Sequence, residues 1–243
     1  MKRSLGWVAR ASAAIALAIG LGLYYGTASD LTPLSTWWTV AVIVFGLIPA
    51  VFGLVYLVLL PLRAARTLPF LALGCGVVAV VLQVADLGAA ANFAKLATVS
   101  LAGFWLVWFF EELSWVVLVA LIVPWVDIVS VFRGPTKHII EHRENVFTTL
   151  SFAFPAPGGG AARLGLPDLL FFALYLATAA RFKLRVEWTW LAMMLSFGAT
   201  LALATEFASL GLPALPLLSV GFLVPNADLI WRTVRPGDDR GDP

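Results

Sequence analysis

Residues 115–132 read WVVLVALIVPWVDIVSVF, an apolar run that contains a single acidic residue, Asp127. A carboxylate within the hydrocarbon core of a membrane is costly, so an acid at this depth is expected to have a function and a partner. A second apolar run, GLPDLLFFALYL at residues 165–176, contains Asp168 close to its start. We expect the rest of the chain to be organised around these two aspartates.

The composition excludes a water-soluble globular protein. The chain has 243 residues, of which 61% are hydrophobic and 12% charged, and its mean hydropathy is +0.94. Soluble domains carry about 25% charged residues. Cys75 is the only cysteine, which excludes an intramolecular disulfide and a cysteine-based zinc site. No motif indicates nucleic-acid binding. These features predict an all-α, polytopic membrane protein.

The hydropathy pattern predicts about eight transmembrane helices, since a spanning helix needs about 20 apolar residues. The first apolar run can also be interpreted as a signal peptide, because basic residues precede an apolar core that ends near residues 26–28. We favour an uncleaved first helix. The predicted helices are 6–26, 38–60, 68–85, 93–110, 113–132, 165–180, 187–206 and 212–231.

The connections are short, except for residues 133–164. Within that segment, Phe147–Phe154 has the composition of a β-strand, and residues 155–160 are typical of a flexible turn. We divide the chain into N-terminal transmembrane helices (1–92), a group of helices with the long loop (93–235), and a polar tail expected to be disordered (236–243).

The distribution of basic residues predicts an orientation. With eight spans, the side that holds both termini carries eleven basic residues and the other side carries five. Cytoplasmic loops are enriched in lysine and arginine. We therefore expect both termini in the cytoplasm, the 133–164 loop outside, and a multi-pass location in the cell membrane.

The two aspartates are predicted to lie at the same depth. Asp127 comes about five residues before its helix ends at the long loop, and Asp168 comes about three residues into the helix that follows that loop. At 1.5 Å rise per residue, both are within roughly 5–8 Å of the same membrane face. Neighbouring antiparallel helices would therefore bring the carboxyl groups close together.

Two carboxyl groups in close contact cannot both ionise readily, so one retains its proton while the other is charged. The charged group can accept a proton from a water molecule that attacks a peptide carbonyl, while the protonated group hydrogen-bonds the carbonyl oxygen. The alternative is that Asp127 and Asp168 are unrelated polar residues that reach the membrane interface.

A third motif favours the catalytic interpretation. Residues 211–216 read GLPALP, at the start of the last predicted helix. In its three motifs the chain resembles the presenilin and signal peptide peptidase family of intramembrane aspartyl proteases, whose YD, GxGD and PALP motifs occur in this order. The PALP match is complete at Pro213, Ala214, Leu215 and Pro216. The other two matches are Val126-Asp127 and Gly165-Leu166-Pro167-Asp168.

The resemblance covers residues 93–231 and is closest to prokaryotic presenilin-like members. It implies an intramembrane aspartyl protease with Asp127 and Asp168 as its catalytic pair and no metal or organic cofactor. The substrate would be a transmembrane peptide or protein, and the charge distribution matches the inverted topology of signal peptide peptidases, whose substrates have type II orientation. The oligomeric state is left open. The implied substrate-binding residues are Gly165, Leu166, Pro167, Pro213, Ala214, Leu215 and Pro216.

Two residues depart from the family pattern. Val126 replaces the tyrosine of the YD motif and removes its hydroxyl, and Pro167 replaces the second glycine of GxGD. Proline is tolerated in a first helical turn, so the helix need not break at Pro167. An inactive homologue that binds transmembrane helices is the alternative that these changes raise.

The sequence also allows interpretations other than an aspartyl protease. His138, Glu141 and His142 form an HxxEH pattern, which would place two imidazoles on one helix face as zinc ligands. No recognisable motif supplies a third ligand.

A small transporter that couples proton or cation movement to the acid pair is another alternative. For Phe147–Phe154, we expect pairing with an extended substrate, because a protease must unwind a helical one.

Overall fold

The computed structural model describes residues 2–133, 148–207 and 212–234. Within these ranges the chain is helical apart from loops and one small β-hairpin. The HxxEH motif at 138–142 and the tail at 236–243 lie outside the described residues. The elements are α1 (Lys2–Thr27), α2 (Thr36–Val42), α3 (Ile48–Leu54), α4 (Leu68–Val84), α5 (Gly88–Leu106), α6 (Leu113–Arg133), β1 (Ser151–Pro155), β2 (Ala161–Gly165), α7 (Leu166–Arg181), α8 (Val186–Phe207), α9 (Leu215–Leu223) and α10 (Ala227–Val234).

Helices α2 and α3 belong to one continuous helical segment, Thr36–Ala64. A π-helical turn (Ile43–Leu47) joins them, and a second π-helical turn and a 3₁₀ turn follow α3. Pro49 lies in the first turn of α3 and Pro61 in the 3₁₀ turn. Because proline lacks an N–H and crowds the preceding turn, departures from regular α geometry are expected here.

Helix occupies all eight predicted positions, but not every helix is long enough to cross a bilayer alone. Among the described residues, five segments are long and apolar enough: Val8–Asp30, Thr36–Ala64, Gly88–Phe109, Leu113–Val131 and Val186–Phe207. Helix α4 has 17 residues and α7 has 16, and a 3₁₀ turn separates α9 from α10. The chain therefore has the architecture of an all-α, multi-pass membrane protein.

Helix α7 lies at the centre of the bundle. It packs against α5, α8 and α9, and its residues from Phe172 to Ala179 are all buried. A helix that is apolar and buried on every side is expected in the core of a bundle. The approach of α5 depends on Gly103, because a Cβ atom there would lie 2.6 Å from the Leu170 carbonyl oxygen.

The long connection after α6 contains the hairpin. Strand β1 pairs with β2 in antiparallel register, with Phe152 opposite Leu164 and Phe154 opposite Ala162. Gly158, Gly159 and Gly160 all have positive φ and form the turn, where glycine has no steric penalty. The strand predicted at 147–154 is thus observed at 151–155, whereas the sequence did not predict β2.

Candidate functional site

Asp127 and Asp168 line the same cavity, which has a volume of about 900 Å³. Asp127 is on α6 and Asp168 is the third residue of α7, so the two helices that flank the long connection each place one aspartate at this cavity. Asp127 is near enough for its charge to act on the Asp168 carboxyl group. The cavity walls come from α3 with the π-helical turn before it, α5, α6, the hairpin, α7, α8 and the chain just before α9.

The PALP motif contributes a hydrogen bond to one carboxyl group. The backbone N–H of Leu215 donates to Oδ2 of Asp127 at 3.1 Å. Leu215 is the first residue of α9, where the N–H has no acceptor within the helix and the helix dipole favours negative charge. Pro213 and Ala214 line the cavity, whereas Pro216 lies in the first turn of α9 and is not among the cavity-lining residues.

Gly165 and Pro167 flank Asp168 in different ways. Gly165 has φ −61° and ψ 142°, which any residue can adopt. A Cβ atom there would, however, lie 3.1 Å from Oδ2 of Asp168, so Gly165 provides room for the carboxyl group. Pro167 is the second residue of α7, and the helix does not break there, as predicted. Leu166 lines the cavity, and its N–H donates to the Leu150 carbonyl oxygen at 3.1 Å.

Val126, the other departure from the family motifs, lies away from the cavity. Its side chain is 60% exposed, on the outer face of α6 together with Trp125 and Val129. Val126 does not line the cavity that Asp127 lines. Val126 therefore belongs to the exposed outer surface of α6 in this structure.

Helix α8 supplies a cavity wall that the sequence analysis missed. Phe197, Thr200, Leu201 and Ala204 all line the cavity. The Thr200 hydroxyl donates to the Ser196 carbonyl oxygen at 2.9 Å, so its proton is already used within the helix. This wall suits apolar side chains of a ligand. Leucine, alanine and phenylalanine in an apolar helix carry no signal that distinguishes a cavity wall from ordinary packing.

The outer edge of β1 is occupied by side chains at its central residue. The Asn92 amide accepts a hydrogen bond from the Ala153 N–H at 2.9 Å and donates to the Ala153 carbonyl oxygen at 2.8 Å. The Tyr25 hydroxyl donates to the same carbonyl at 2.8 Å. Asn92, which is buried on α5, thus bonds to Ala153 as a neighbouring strand would.

Both ends of the same edge are also occupied. The Tyr24 hydroxyl donates to the Pro155 carbonyl oxygen at 2.9 Å, and Nζ of Lys95 donates to the Ser151 carbonyl oxygen at 3.0 Å. Helices α1 and α5 therefore hold the strand from one side. A lone polar residue in an apolar helix, such as Asn92, is the signal that could have revealed this arrangement.

The outer edge of β2 is different. Hydrogen-bonded and non-hydrogen-bonded residue pairs alternate along an antiparallel hairpin. The Leu150–Leu166 and Ala156–Gly160 pairs are hydrogen-bonded, so the pairs two residues further in, Phe152–Leu164 and Phe154–Ala162, are of the same kind. The backbone groups of Ala161 and Arg163 therefore point away from β1, since successive residues alternate. Among the described residues, no other element donates to or accepts from these groups. This edge ends at Gly165, beside Asp168.

Other acidic and metal-binding candidates lie elsewhere. Asp228 pairs with Arg185 through two hydrogen bonds of 2.7 and 2.8 Å and does not line the cavity of the two aspartates. Within the described ranges, no three His, Cys, Asp or Glu residues come together as a metal site. Both histidines of the chain lie outside those ranges.

No family model matches the chain, and no curated protein matches it. The resemblance to presenilins and signal peptide peptidases thus depends on the three short motifs.

Proposed function

We propose that the chain is an intramembrane aspartyl protease that hydrolyses peptide bonds of transmembrane substrates with Asp127 and Asp168. The observation that carries this proposal is the cavity of about 900 Å³ that both carboxyl groups line. The hydrogen bond from the PALP backbone to Asp127 supports it further, because it connects two of the three motifs on which the resemblance rests.

The chemistry requires one proton shared between the two carboxyl groups. The ionised group removes a proton from water, which attacks the scissile carbonyl carbon, and the protonated group donates to the carbonyl oxygen. The resulting tetrahedral diol breaks down when a proton is transferred to the leaving amine. No covalent bond to the protein forms, and the pair titrates as a unit.

The substrate would bind in an extended form along the outer edge of β2. An extended peptide can add a strand to an exposed edge through main-chain hydrogen bonds. The edge at Ala161 and Arg163 has no partner among the described residues and leads to Asp168, whereas the outer edge of β1 is occupied. This assigns the docking role to β2 and replaces our expectation for 147–154. Phe152 is fully buried, so it is not available to a substrate.

The proposal includes eight membrane crossings with both termini in the cytoplasm. Helix α7, with 16 residues, is about 24 Å long, somewhat shorter than a hydrocarbon core of about 30 Å. Local thinning of the bilayer accommodates such a difference at modest cost. Thinning near Asp168 would also bring water closer to the catalytic pair. The resulting topology predicts substrates of type II orientation.

The test is cleavage of a reporter transmembrane peptide by the purified protein in liposomes. We expect the Asp127→Asn and Asp168→Asn variants each to lower the rate by about a thousandfold, because each removes an acid–base group. Asp86→Asn is the matched control. Asp86 is exposed and has φ 60°, a conformation that asparagine readily adopts, so this variant should cleave at the wild-type rate.

A chelator separates this mechanism from zinc catalysis, and full activity in its presence is expected. Cleavage by Asp127→Asn or Asp168→Asn at the rate of Asp86→Asn would refute the proposal. The absence of peptide products from folded wild-type protein, over a varied substrate panel, would favour proton-coupled transport or an inactive helix-binding protein. Transport would instead be detected as a proton-dependent solute flux that both substitutions abolish.

A further inference from the structure

A cavity at the opposite end of α7 has the character of a binding site for an anionic group. It has a volume of about 570 Å³ and lies between the ends of α5 and α7 and the 3₁₀ turn at Leu60–Ala64. Arg63 and Arg181 line it, and none of the described residues that line it carries a negative charge. We refer to it as the Arg63–Arg181 cavity.

Both arginines are held in place by backbone carbonyl groups. Nη1 of Arg63 donates to the Leu60 carbonyl oxygen at 3.2 Å, and Nη1 of Arg181 donates to the Val107 carbonyl oxygen. A guanidinium has five N–H donors, so each retains several for a ligand. The Trp108 indole N–H donates to the Arg63 carbonyl oxygen at 3.2 Å, which ties the 3₁₀ turn to the end of α5.

The remaining wall is apolar. It consists of Ala64, Phe104, Val107, Trp108, Ala177 and Ala180. Phe104 and Val107 are buried, and Trp108 is 39% exposed, as expected for a tryptophan at a membrane interface. A site lined by two cations and by an apolar wall matches a lipid headgroup with its attached glycerol and acyl chains. A free anion would gain nothing from the apolar wall.

The nearby charges explain why this cavity is a better candidate for an anion site than the neighbouring cavity. A second cavity of about 490 Å³ shares Arg63 and is also lined by Arg10, Arg185 and Glu187. There, the Glu187 carboxylate offsets one positive charge, and Asp228 pairs with Arg185. Glu111 and Glu112 follow Trp108 in the chain but line neither cavity.

From this geometry we propose that the Arg63–Arg181 cavity binds the phosphate of an anionic phospholipid headgroup. The face concerned is the one that the charge distribution predicts to be cytoplasmic. Basic pockets between transmembrane helices on that side are suited to such headgroups, at about 1 kcal/mol for each basic residue near the surface. The site does not depend on the proposed proteolytic activity.

The experiment is native mass spectrometry of the full chain, released from detergent with added phosphatidylglycerol or phosphatidylcholine. We expect the wild type to retain phosphatidylglycerol in preference to phosphatidylcholine by roughly thirtyfold, from two arginines. Arg63→Gln should lower this preference by roughly fivefold. Arg63→Gln with Arg181→Gln should abolish it. Arg66→Gln removes the same charge from an exposed residue that does not line the cavity, and should retain the preference.

Two results would overturn the proposal. The first is an equal loss of the phosphatidylglycerol preference in Arg66→Gln and Arg63→Gln. That result would attribute the preference to general surface charge rather than to the cavity. The second is displacement of phosphatidylglycerol by millimolar inorganic phosphate, which would assign the cavity to a free anion. Arg181 also binds the Val107 carbonyl, so its replacement also removes a contact of the fold. Arg63→Gln alone, with a melting temperature equal to that of Arg66→Gln, keeps the test decisive.

Discussion

The two outer edges of the β-hairpin have the same backbone chemistry but opposite surroundings. On β1, side chains from α1 and α5 donate to or accept from Ser151, Ala153 and Pro155. On β2, the outward groups of Ala161 and Arg163 have no such partner among the described residues. An unpaired strand edge attracts other chains, and proteins usually cover it. Here side chains cover one edge, and the other edge, beside Asp168, is open as far as the described part of the chain shows.

This difference indicates that the two edges of the small sheet have different roles. The covered edge attaches the hairpin to the bundle, and Phe152 and Phe154 add buried apolar surface to that attachment. The open edge then has a fixed position relative to Asp168, because α7 begins immediately after β2. A substrate strand that pairs with β2 would therefore present its backbone at a defined distance from Asp168, one of the two proposed catalytic residues.

Among substitutions at the hairpin and its contacts, the largest effect is expected from Asn92→Leu, which preserves size but removes both amide hydrogen bonds to Ala153. The Ala153 N–H would then be buried without an acceptor, at a cost of about 2 kcal/mol. Thermal unfolding in detergent should show the loss as a lower melting temperature. The matched control is Tyr25→Phe, because the Ala153 carbonyl retains Asn92 as a donor. An Asn92→Leu variant no less stable than Tyr25→Phe would contradict the assigned role of the amide.

The next effect is expected from Arg163→Pro, which acts on the open edge. Its N–H points away from β1, so proline removes a donor to the substrate but leaves the hairpin ladder intact. Loss of one main-chain hydrogen bond should lower kcat/KM for the reporter peptide by about tenfold. Arg163→Ala keeps the N–H and should be close to wild type. An equal loss of kcat/KM in both variants would attribute the effect to the Arg163 side chain rather than to the backbone of the strand edge.

Much of this organisation could be predicted from the sequence. Apolar runs of about 20 residues specify helices in a bilayer, and all eight predicted positions are helical. The position of each aspartate relative to its helix end predicts that Asp127 and Asp168 meet, and both line one cavity. The tolerance of Pro167 in a first turn follows from its missing N–H.

The rest depends on tertiary contacts that leave little local signal. Residues 161–165 read AARLG, and alanine and glycine are depleted in strands, so β2 exists because β1 is already held by α1 and α5. The bond from Leu215 to Asp127 uses a backbone N–H, which every residue but proline has. Its direction depends on where α9 begins relative to α6, and no local pattern in the sequence specifies this.

The smallest effect is expected from Gly165→Ala, at the point where the outer edge of β2 reaches Asp168. The backbone conformation suits alanine, so the variant should be as stable as the wild type or slightly more so, because alanine restricts the unfolded chain. The added Cβ would lie 3.1 Å from Oδ2 of Asp168 and must displace the carboxyl group by a few tenths of an ångström. Such a displacement should lower the cleavage rate by roughly three- to tenfold.

The control for this substitution is Gly74→Ala, since a Cβ atom at Gly74 meets nothing within 4 Å. It should leave cleavage unchanged and keep or slightly raise the melting temperature, because alanine is more favourable than glycine inside a helix. Unchanged stability with reduced cleavage in Gly165→Ala is the signature of a displaced catalytic group, because a loss of folding would lower both together. Wild-type cleavage by Gly165→Ala would mean that the Asp168 carboxyl can move without consequence. The open edge of β2 would then not determine the position at which a substrate is cut.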